Sequence, residues 1–317
     1  MTKRILLASP RGYCAGVERA VETVEQALAL HGAPVFVRKQ IVHNAHVVRD
    51  LEARGAIFVE SEEDAPAGAV LVLSAHGVAP SVYANAERRW QRTIDATCPL
   101  VSKVHAEARS YGQAGFTVVL VGHEGHEEVV GTRGEAPDAT VVVGTVDEAE
   151  ALELPDPERV AFVTQTTLSV DETAEILAVL RRRFPAIRGP QKDDICYATT
   201  NRQQAVKELL PEIGLLLVVG SANSSNSNRL VDVARSAGVP VYLIEDASAI
   251  DERWLDGVET VGLTSGASAP ERLVVEVCGW FRARGVSRID QLGTVVEDVE
   301  FRLPPELRRV TAAAPAA

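Results

Sequence analysis

Three cysteines lie at positions where an apolar run ends and a helical pattern begins. They are Cys14 in SPRGYCAGVERA, Cys98 in DATCPLVSKVH and Cys196 in DDICYATTNRQ. A thiol at the start of a helix has a lowered pKa, and the thiolate is the form that binds metals. The chemistry that three such thiolates could perform together is the ligation of one inorganic centre.

Two polar loops follow each cysteine at similar distances. In the order of the cysteines, the first loop lies 29, 28 and 28 residues further on, at His43, His126 and Ser224. The second loop lies 62, 68 and 72 residues further on, at His76, Thr166 and Ser268. Ligands of parallel sheets bind at the carboxyl ends of strands, where all these positions fall. The spacing therefore predicts three copies of one unit whose strand ends face a shared central cavity.

The elements that would position these residues follow from the hydrophobic pattern. Short runs of Val, Leu and Ile, bounded by Gly and Pro, alternate with amphipathic stretches. Continuous apolar runs between helices indicate parallel strands buried on both faces. The predicted fold class is therefore α/β, with three similar units built on parallel sheets. The predicted units are 16–97, 98–194 and 195–305, with segment 1–15 joining the third unit and a disordered tail at 306–317.

The composition excludes several classes of protein. The chain has 32 Lys and Arg against 44 Asp and Glu, a net charge of −12, and no basic stripe. Nucleic acids and anionic membranes are therefore not expected as partners. No apolar run approaches the roughly 18–20 residues that cross a bilayer, and the start does not resemble a signal peptide. Four cysteines in 317 residues do not form a disulfide framework. We expect a soluble cytoplasmic protein with reduced thiols.

The residues alone leave several roles open for the three cysteines. They could be buried structural thiols, since cysteine is often buried, or one of them could be a nucleophile. Three cysteines and a histidine could bind zinc, although no C-x-x-C pair is present. A four-iron cluster normally takes four thiolates, so three would leave one iron open to a substrate. Cys278 has no counterpart in the other repeats and is expected to be a core residue.

The motifs together resemble those of the 4-hydroxy-3-methylbut-2-enyl diphosphate reductases, over about residues 5–305. Besides the three cysteine motifs they are VHN, SAHGV, GHEGHEEVVGT, TQTTLSV, NSSNSNRL and SGASAP. The resemblance implies a pseudo-threefold trefoil of α/β units around a central [4Fe–4S] cluster. It implies that Cys14, Cys98 and Cys196 bind this cluster and leave one open iron site. The implied reaction removes the allylic hydroxyl of the substrate reductively, which yields isopentenyl and dimethylallyl diphosphate.

The resemblance also implies roles for individual residues. The diphosphate would be bound by His43, His76, Ser224, Ser225, Asn226 and Ser268. Glu128 would deliver the proton, and Thr166 and His126 would contact the substrate and take part in catalysis. Without the repeat alignment, helix N-capping would be the better explanation of the Ser and Asn cluster. The neighbouring Glu127 is expected to be a solvated glutamate at a helix start.

The expected partners follow from what the chain lacks. No G-x-G-x-x-G fingerprint for a flavin or nicotinamide is present, so electrons must come from outside. The resemblance implies ferredoxin or flavodoxin as the donor, and we expect a monomer. The alternative from another class is a non-catalytic iron–sulfur or zinc redox sensor. A hydrolyase that uses the open iron without net electron transfer is a second enzymatic alternative.

Overall fold

The computed structural model describes residues 2–293 and 295–307, and strands and helices alternate along them. The strands are β1 (Arg4–Ala8), β2 (Val35–Arg38), β3 (Ala56–Val59), β4 (Val70–Leu73), β5 (Arg92–Asp95), β6 (Thr117–Val121), β7 (Thr140–Val143), β8 (Val160–Thr164), β9 (Leu215–Val219), β10 (Val241–Ile244), β11 (Thr260–Ser265) and β12 (Arg288–Leu292). The helices are α1 (Ala15–His31), α2 (Ala45–Ala53), α3 (Pro80–Arg88), α4 (Pro99–Gln113), α5 (Glu127–Arg133), α6 (Val146–Ala151), α7 (Val170–Arg183), α8 (Tyr197–Leu209), α9 (Ser225–Ser236) and α10 (Glu271–Arg282). Most of the tail expected to be disordered, 308–317, lies outside the described residues.

The strands of the described chain form three parallel sheets that repeat one strand order. The orders are β3-β2-β4-β5, β7-β6-β8 and β10-β9-β11-β1-β12. The helices that begin directly after Cys14, Cys98 and Cys196 are followed by β2, β6 and β9. In each sheet this strand has the next two strands of the chain as its neighbours, one on each side. All the pairings are parallel. The predicted α/β class with parallel sheets is confirmed.

Three sets of three consecutive strands, β2–β4, β6–β8 and β9–β11, thus share one order. The segment that precedes each cysteine pairs with the last strand of one of these sets. β1 pairs with β11 and leads to Cys14, and β5 pairs with β4 and leads to Cys98. Before Cys196 the equivalent pairing is reduced to an isolated parallel bridge between Arg188 and Ala161 in β8. The cysteines therefore occupy equivalent places, directly after the segment that pairs with the last strand of a set.

Alternate residues of the central strands β6 and β9 pack into two separate cores, as expected for a sheet covered on both faces. In β9, Leu215 and Leu217 belong to a core with Val277 and Phe281 of α10. The neighbouring Leu216 lies on the other face, in a core built with α8 and α9. This double burial explains why β9 has a continuous apolar sequence and why its polar neighbours are confined to the strand end.

The chain divides into two compact units. One comprises Met1–Ala15, His43–Val47 and Cys196–Glu300, and we call it the five-stranded unit. The other comprises Gly16–Val42, Val48–Ile195 and Phe301–Ala317, and we call it the two-sheet unit. The boundaries predicted for three units stay a prediction. None of the helices in the described ranges is long and apolar enough to cross a membrane.

Candidate active site

Cys14 lies in the loop between β1 and α1, and the end of β11 fixes this loop in the five-stranded unit. The Cys14 N–H donates to the carbonyl of Ala267 at 3.3 Å. The Gly12 N–H donates to Ser265 Oγ at 2.8 Å. Gly12 has φ of +74°, a conformation that side chains disfavour. The loop therefore holds the half-buried Cys14 directly before the first residue of α1.

Cys196 is the N-cap residue of α8, and its thiol is part of a buried hydrogen-bond chain. Its Sγ lies 3.2 Å from Thr199 Oγ1. Thr199 Oγ1 accepts a hydrogen bond from Asn226 Nδ2 at 3.2 Å, so the Thr199 proton is available to a Cys196 thiolate. Asn226 Oδ1 in turn accepts from the Ala267 N–H at 2.8 Å. Because the Ala267 carbonyl binds the Cys14 N–H, this chain connects the two cysteine loops of the unit.

Hydroxyl groups at the start of α9 and after β11 form a compact donor set. Ser224 caps α9, and its Oγ accepts from the Ser227 N–H at 3.3 Å. Ser224 Oγ is 3.4 Å from Ser268 Oγ, and Ser268 Oγ donates to the His43 carbonyl at 2.9 Å. Ser225 follows as the first residue of α9 and is half-buried. Both uses expected for this cluster are therefore compatible, since Ser224 caps a helix and stands beside other donors.

His43 lies just before the start of α2, and an amide lies beside its ring. Asn44 Oδ1 accepts from the N–H groups of His46 and Val47 and so caps α2. Asn223 Nδ2 lies 3.3 Å from His43 Nδ1. With Nδ1 as an acceptor, the His43 ring carries its proton on Nε2. The histidine then offers an N–H donor at Nε2.

Glu128 and Thr166 form a buried pair in the two-sheet unit. The Glu128 carboxylate accepts from the Thr166 N–H at 2.6 Å and from Thr166 Oγ1 at 3.0 Å. Glu128 is only 3% exposed, and Thr166 only 4%. Burial raises the pKa of Glu128 to about 7, against the lowering effect of the Thr166 hydrogen bonds. A carboxyl in this state can release a proton near neutral pH.

His126 and His76 lie beside this pair. His126 caps α5, and its Nδ1 accepts from the Glu128 N–H at 3.2 Å. Burial, and then the neighbouring His76, lower the pKa of His126 to about 4, so the ring is neutral at pH 7. The His126 and His76 rings meet edge to face, with centroids 5.9 Å apart. Glu127 Oε2 lies 3.2 Å from His76 Nδ1, so the expectation that Glu127 is merely solvated is wrong.

Cys98 is the N-cap residue of α4 and is tied to the loop that carries His76. Its N–H donates to the carbonyl of Ala75 at 3.0 Å. Gly77 follows His76 with φ of +78°, and a Cβ there would lie 2.8 Å from His105 Cε1. His105 thus packs against the loop from α4, and only glycine fits at position 77. One helix therefore supplies both the Cys98 position and the support beneath His76.

The predicted site residues fall into two sets. The five-stranded unit contains Cys14, His43, Cys196, Ser224, Ser225, Asn226 and Ser268. The two-sheet unit contains His76, Cys98, His126, Glu128 and Thr166. The binding of one cluster by all three cysteines stays a prediction. Thr199 is not among the site residues expected from the sequence. A hydroxyl three residues after an N-cap cysteine is nevertheless a pattern that could have indicated its contact with the sulfur.

The raised pKa of Glu128 predicts how stability depends on pH. The usual pKa of a glutamate is 4.5, and the folded value is about 7. Because the folded value is the higher one, its contribution to stability is complete below pH 4.5 and disappears as the pH rises through 7. Relative to Glu128→Gln, the wild type should lose on the order of 2 kcal/mol between pH 5 and pH 8. Urea unfolding of both proteins at the two pH values measures this loss. Parallel pH dependence would contradict a raised pKa at this site.

Comparison with known proteins identifies the family. The model of the LytB protein family matches residues 5–282 of the chain. The chain belongs to the LytB family. A LytB relative from Acidothermus cellulolyticus, named 4-hydroxy-3-methylbut-2-enyl diphosphate reductase, is 60% identical over 97% of this chain and 91% of its own length. A relative of the same name from Leifsonia xyli is 56% identical over the same shares of the two chains.

A solved LytB-type structure has the same fold. It is described as the E-1-hydroxy-2-methyl-but-2-enyl-4-diphosphate reductase from Plasmodium falciparum, with a TM-score of 0.93 and 37% identity. The match covers 98% of this chain and 99% of that chain. The resemblance recognised from the motifs is confirmed, and so is the prediction that the chain is an enzyme of this reductase family.

Proposed function

We propose that this LytB-family enzyme removes the allylic hydroxyl of (E)-4-hydroxy-3-methylbut-2-enyl diphosphate. Two electrons and two protons convert the substrate into water and either isopentenyl or dimethylallyl diphosphate. The observation that carries this proposal is the buried Glu128–Thr166 pair. Loss of an alcohol oxygen as water requires a proton donor at that oxygen, whereas a redox sensor requires none.

The pair supports a short proton relay. When Glu128 is protonated, its Oε2 can donate to Thr166 Oγ1, which lies 3.0 Å away. The Thr166 hydroxyl then directs its own proton to a substrate oxygen. The Thr166 N–H remains on Glu128 Oε1 at 2.6 Å and holds the carboxyl in place. His126, neutral and with its proton on Nε2, adds a donor without a charge that would hold Glu128 ionised.

The three cysteines fit an iron–sulfur cluster as ligands. Each is half-buried and directly precedes a helix, which favours the thiolate that iron requires. Thr199 provides a hydroxyl beside the Cys196 sulfur. Hydrogen bonds to the sulfur ligands change the reduction potential of an iron–sulfur cluster. We therefore assign a [4Fe–4S] cluster to Cys14, Cys98 and Cys196. When bound, such a cluster would pass electrons to the substrate and would offer one iron that carries no protein ligand.

The diphosphate would be bound mainly by neutral donors. In the five-stranded unit these are the hydroxyls of Ser224, Ser225 and Ser268, the amide of Asn226 and His43. The N-terminus of α9 adds main-chain N–H groups, which favour anions. In the two-sheet unit His76, whose Nδ1 lies 3.2 Å from Glu127 Oε2, would add a ring N–H donor. Several neutral donors can bind a diphosphate together without one dominant cation.

Ser268→Ala tests the proposed anion contacts. Loss of a hydrogen bond to a charged group should raise KM roughly ten- to a hundredfold, with a much smaller change in kcat. The matched control is Ser169→Ala, which removes a different buried serine. The Ser169 side chain caps α7. The control should lower stability and leave KM unchanged. If Ser268→Ala has the wild-type KM, this hydroxyl does not bind the diphosphate.

An anaerobic assay distinguishes the reductase from the two alternatives. Protein purified without oxygen is mixed with a chemical reductant, with and without the allylic diphosphate. Oxidation of the reductant only when the diphosphate is present supports the reductase. Conversion of the substrate without consumption of reductant indicates the hydrolyase, and a zinc-loaded protein that converts nothing indicates the sensor. In the cell the electrons would come from an external carrier of the ferredoxin or flavodoxin type.

A further inference from the structure

A basic residue occupies a similar place, in the second turn, on each of the three helices that follow a cysteine. Arg19 on α1 and Lys103 on α4 each lie five residues after their cysteine, and Arg202 on α8 lies six residues after its own. Each side chain donates to main-chain carbonyls that precede a different cysteine in the sequence. All three residues lie within the cysteine motifs quoted above, but the roles that the resemblance implies do not include them, and the mechanism proposed above does not use them.

Arg202 holds the loop of Cys14. Its guanidinium is completely buried and donates from Nη2 to the Gly12 carbonyl at 2.8 Å and to the Tyr13 carbonyl at 3.3 Å. Nε donates to the Gly12 carbonyl as well, at 3.2 Å. Glu297 Oε1 lies 3.0 Å from Arg202 Nη1 and balances the charge of the guanidinium. The two residues directly before Cys14 are therefore fixed by the helix that begins after Cys196.

Arg19 holds the loop of Cys98 in the same manner. It is 9% exposed and donates to the Thr97 carbonyl at 3.0 Å and to the Asp95 carbonyl at 3.3 Å. A third hydrogen bond reaches the Arg302 carbonyl at 2.8 Å. The residue directly before Cys98 is thus fixed by the helix that begins after Cys14.

Lys103 completes the cycle with the segment before Cys196. Its Nζ donates to the Lys192 carbonyl at 2.6 Å and lies 2.7 Å from Asp194 Oδ1. The other oxygen of this buried carboxylate accepts from the Thr164 N–H at 2.8 Å, at the end of β8. Lys103 is also 3.4 Å from the Asp193 carbonyl. The helix that begins after Cys98 therefore fixes the chain that leads to Cys196.

The cost of burying a cation indicates that Arg19, Lys103 and Arg202 stabilise the loops that carry the cysteines. A buried guanidinium is costly unless its donors are satisfied, and an apolar residue at such a helix position would stabilise the core directly. Most of the carbonyls that precede the cysteines lie outside the strand ladders, and the Asp95 carbonyl lies at the very end of β5, so they need donors of their own. Three cations in a cyclic arrangement, each serving the next cysteine loop, point to a common role for all three.

We propose that Arg19, Lys103 and Arg202 are positioning residues that hold the three thiolates in the geometry for cluster binding. The inference rests on the proposed function, because it presumes that a cluster is bound. Groups that orient metal ligands typically change metal affinity 10- to 100-fold when they are removed. The cations act through the loop conformation, and their loss should release iron from protein that is still folded.

Iron release from the anaerobically purified holoprotein tests this inference. With an excess of chelator, Arg202→Met should lose iron at least about tenfold faster than the wild type. Arg202→Lys should lie between the two, because an ammonium can serve only part of the carbonyl set. Glu297→Gln, which removes the ion pair and keeps an acceptor, should stay near the wild type. Wild-type release by Arg202→Met would overturn the proposal.

A control separates positioning from general stability. Arg38→Met removes a partly buried ion pair with Glu62 (2.9 Å), on β2 and away from the cysteine loops. It should lower the urea midpoint without accelerating iron release. Equal acceleration by Arg38→Met at a matched loss of stability would overturn the positioning role. If Arg202→Met does not fold, Lys103→Met serves instead, since Lys103 is 30% exposed, and Lys103→Arg should retain iron. A wild type without any cluster would refute the proposed function instead.

Discussion

Glu128→Gln should reduce turnover at least about a hundredfold while it leaves iron content and the KM for the diphosphate near wild-type values. In glutamine the amide oxygen can still accept from the Thr166 N–H, and the amide nitrogen can donate to Thr166 Oγ1, so the local structure is preserved. The amide cannot release a proton at neutral pH, so the relay to the leaving hydroxyl fails. Initial rates with a chemical reductant under anaerobic conditions, together with iron analysis, measure the effect.

The matched control for this variant is Glu124→Gln. Glu124 lies four residues earlier in the same loop region, and its side chain is 76% exposed in a weak pair with Arg133. Loss of this carboxyl should leave kcat within about twofold of the wild type, as for most surface changes. Turnover by Glu128→Gln at the wild-type rate would remove Glu128 from the mechanism. Loss of iron together with activity would show that the side chain has a structural role instead.

Replacement of any one of the three proposed cluster cysteines by serine should abolish activity and most of the iron. A neutral hydroxyl is a far poorer ligand for iron than a thiolate, and two remaining thiolates do not hold a four-iron cluster. We expect Cys14→Ser, Cys98→Ser and Cys196→Ser to behave alike, because their places in the fold are equivalent. Visible absorption of anaerobically purified protein and iron per chain measure the loss.

Cys278→Ser provides the control within the same chain. Cys278 is buried on α10 among apolar residues of the five-stranded unit, and burial raises the pKa of its thiol. Its replacement should cost some stability and retain the cluster and activity. A full complement of iron in Cys98→Ser would contradict the proposed ligand set, as would loss of iron in Cys278→Ser.

Some strands could be predicted from the sequence and others could not, for a physical reason. β9 lies between two other strands of its sheet and is buried at every position, so its sequence is a continuous apolar run. β5 and β12 lie at the edges of their sheets, and their sequences RTID and RIDQL carry charged residues. An edge strand has one unpaired side, where charge is tolerated and even protective. Such strands do not differ in pattern from loops.

The same division applies to the candidate site. The positions of the cysteines and Thr166 could be predicted because each follows an apolar run at a repeated spacing, whereas Glu128 could be named only from the resemblance. Arg202 could not, because an arginine in a helix is usually solvated and its carbonyl partners lie about 190 residues away along the chain. The neutral state of His126 could not be predicted either, because it arises from burial and from the nearby His76. Contacts that depend on tertiary packing leave no local pattern.

The central claim is that Cys14, Cys98 and Cys196 together bind one four-iron cluster that keeps an iron open to the substrate. Iron and sulfide analysis with Mössbauer spectroscopy of the anaerobically purified wild type tests it most directly. We predict about four irons and four sulfides per chain, with one iron distinct from the others and altered by the allylic diphosphate. A chain loaded with zinc, or a cluster whose irons are all unaffected by the substrate, would contradict the claim.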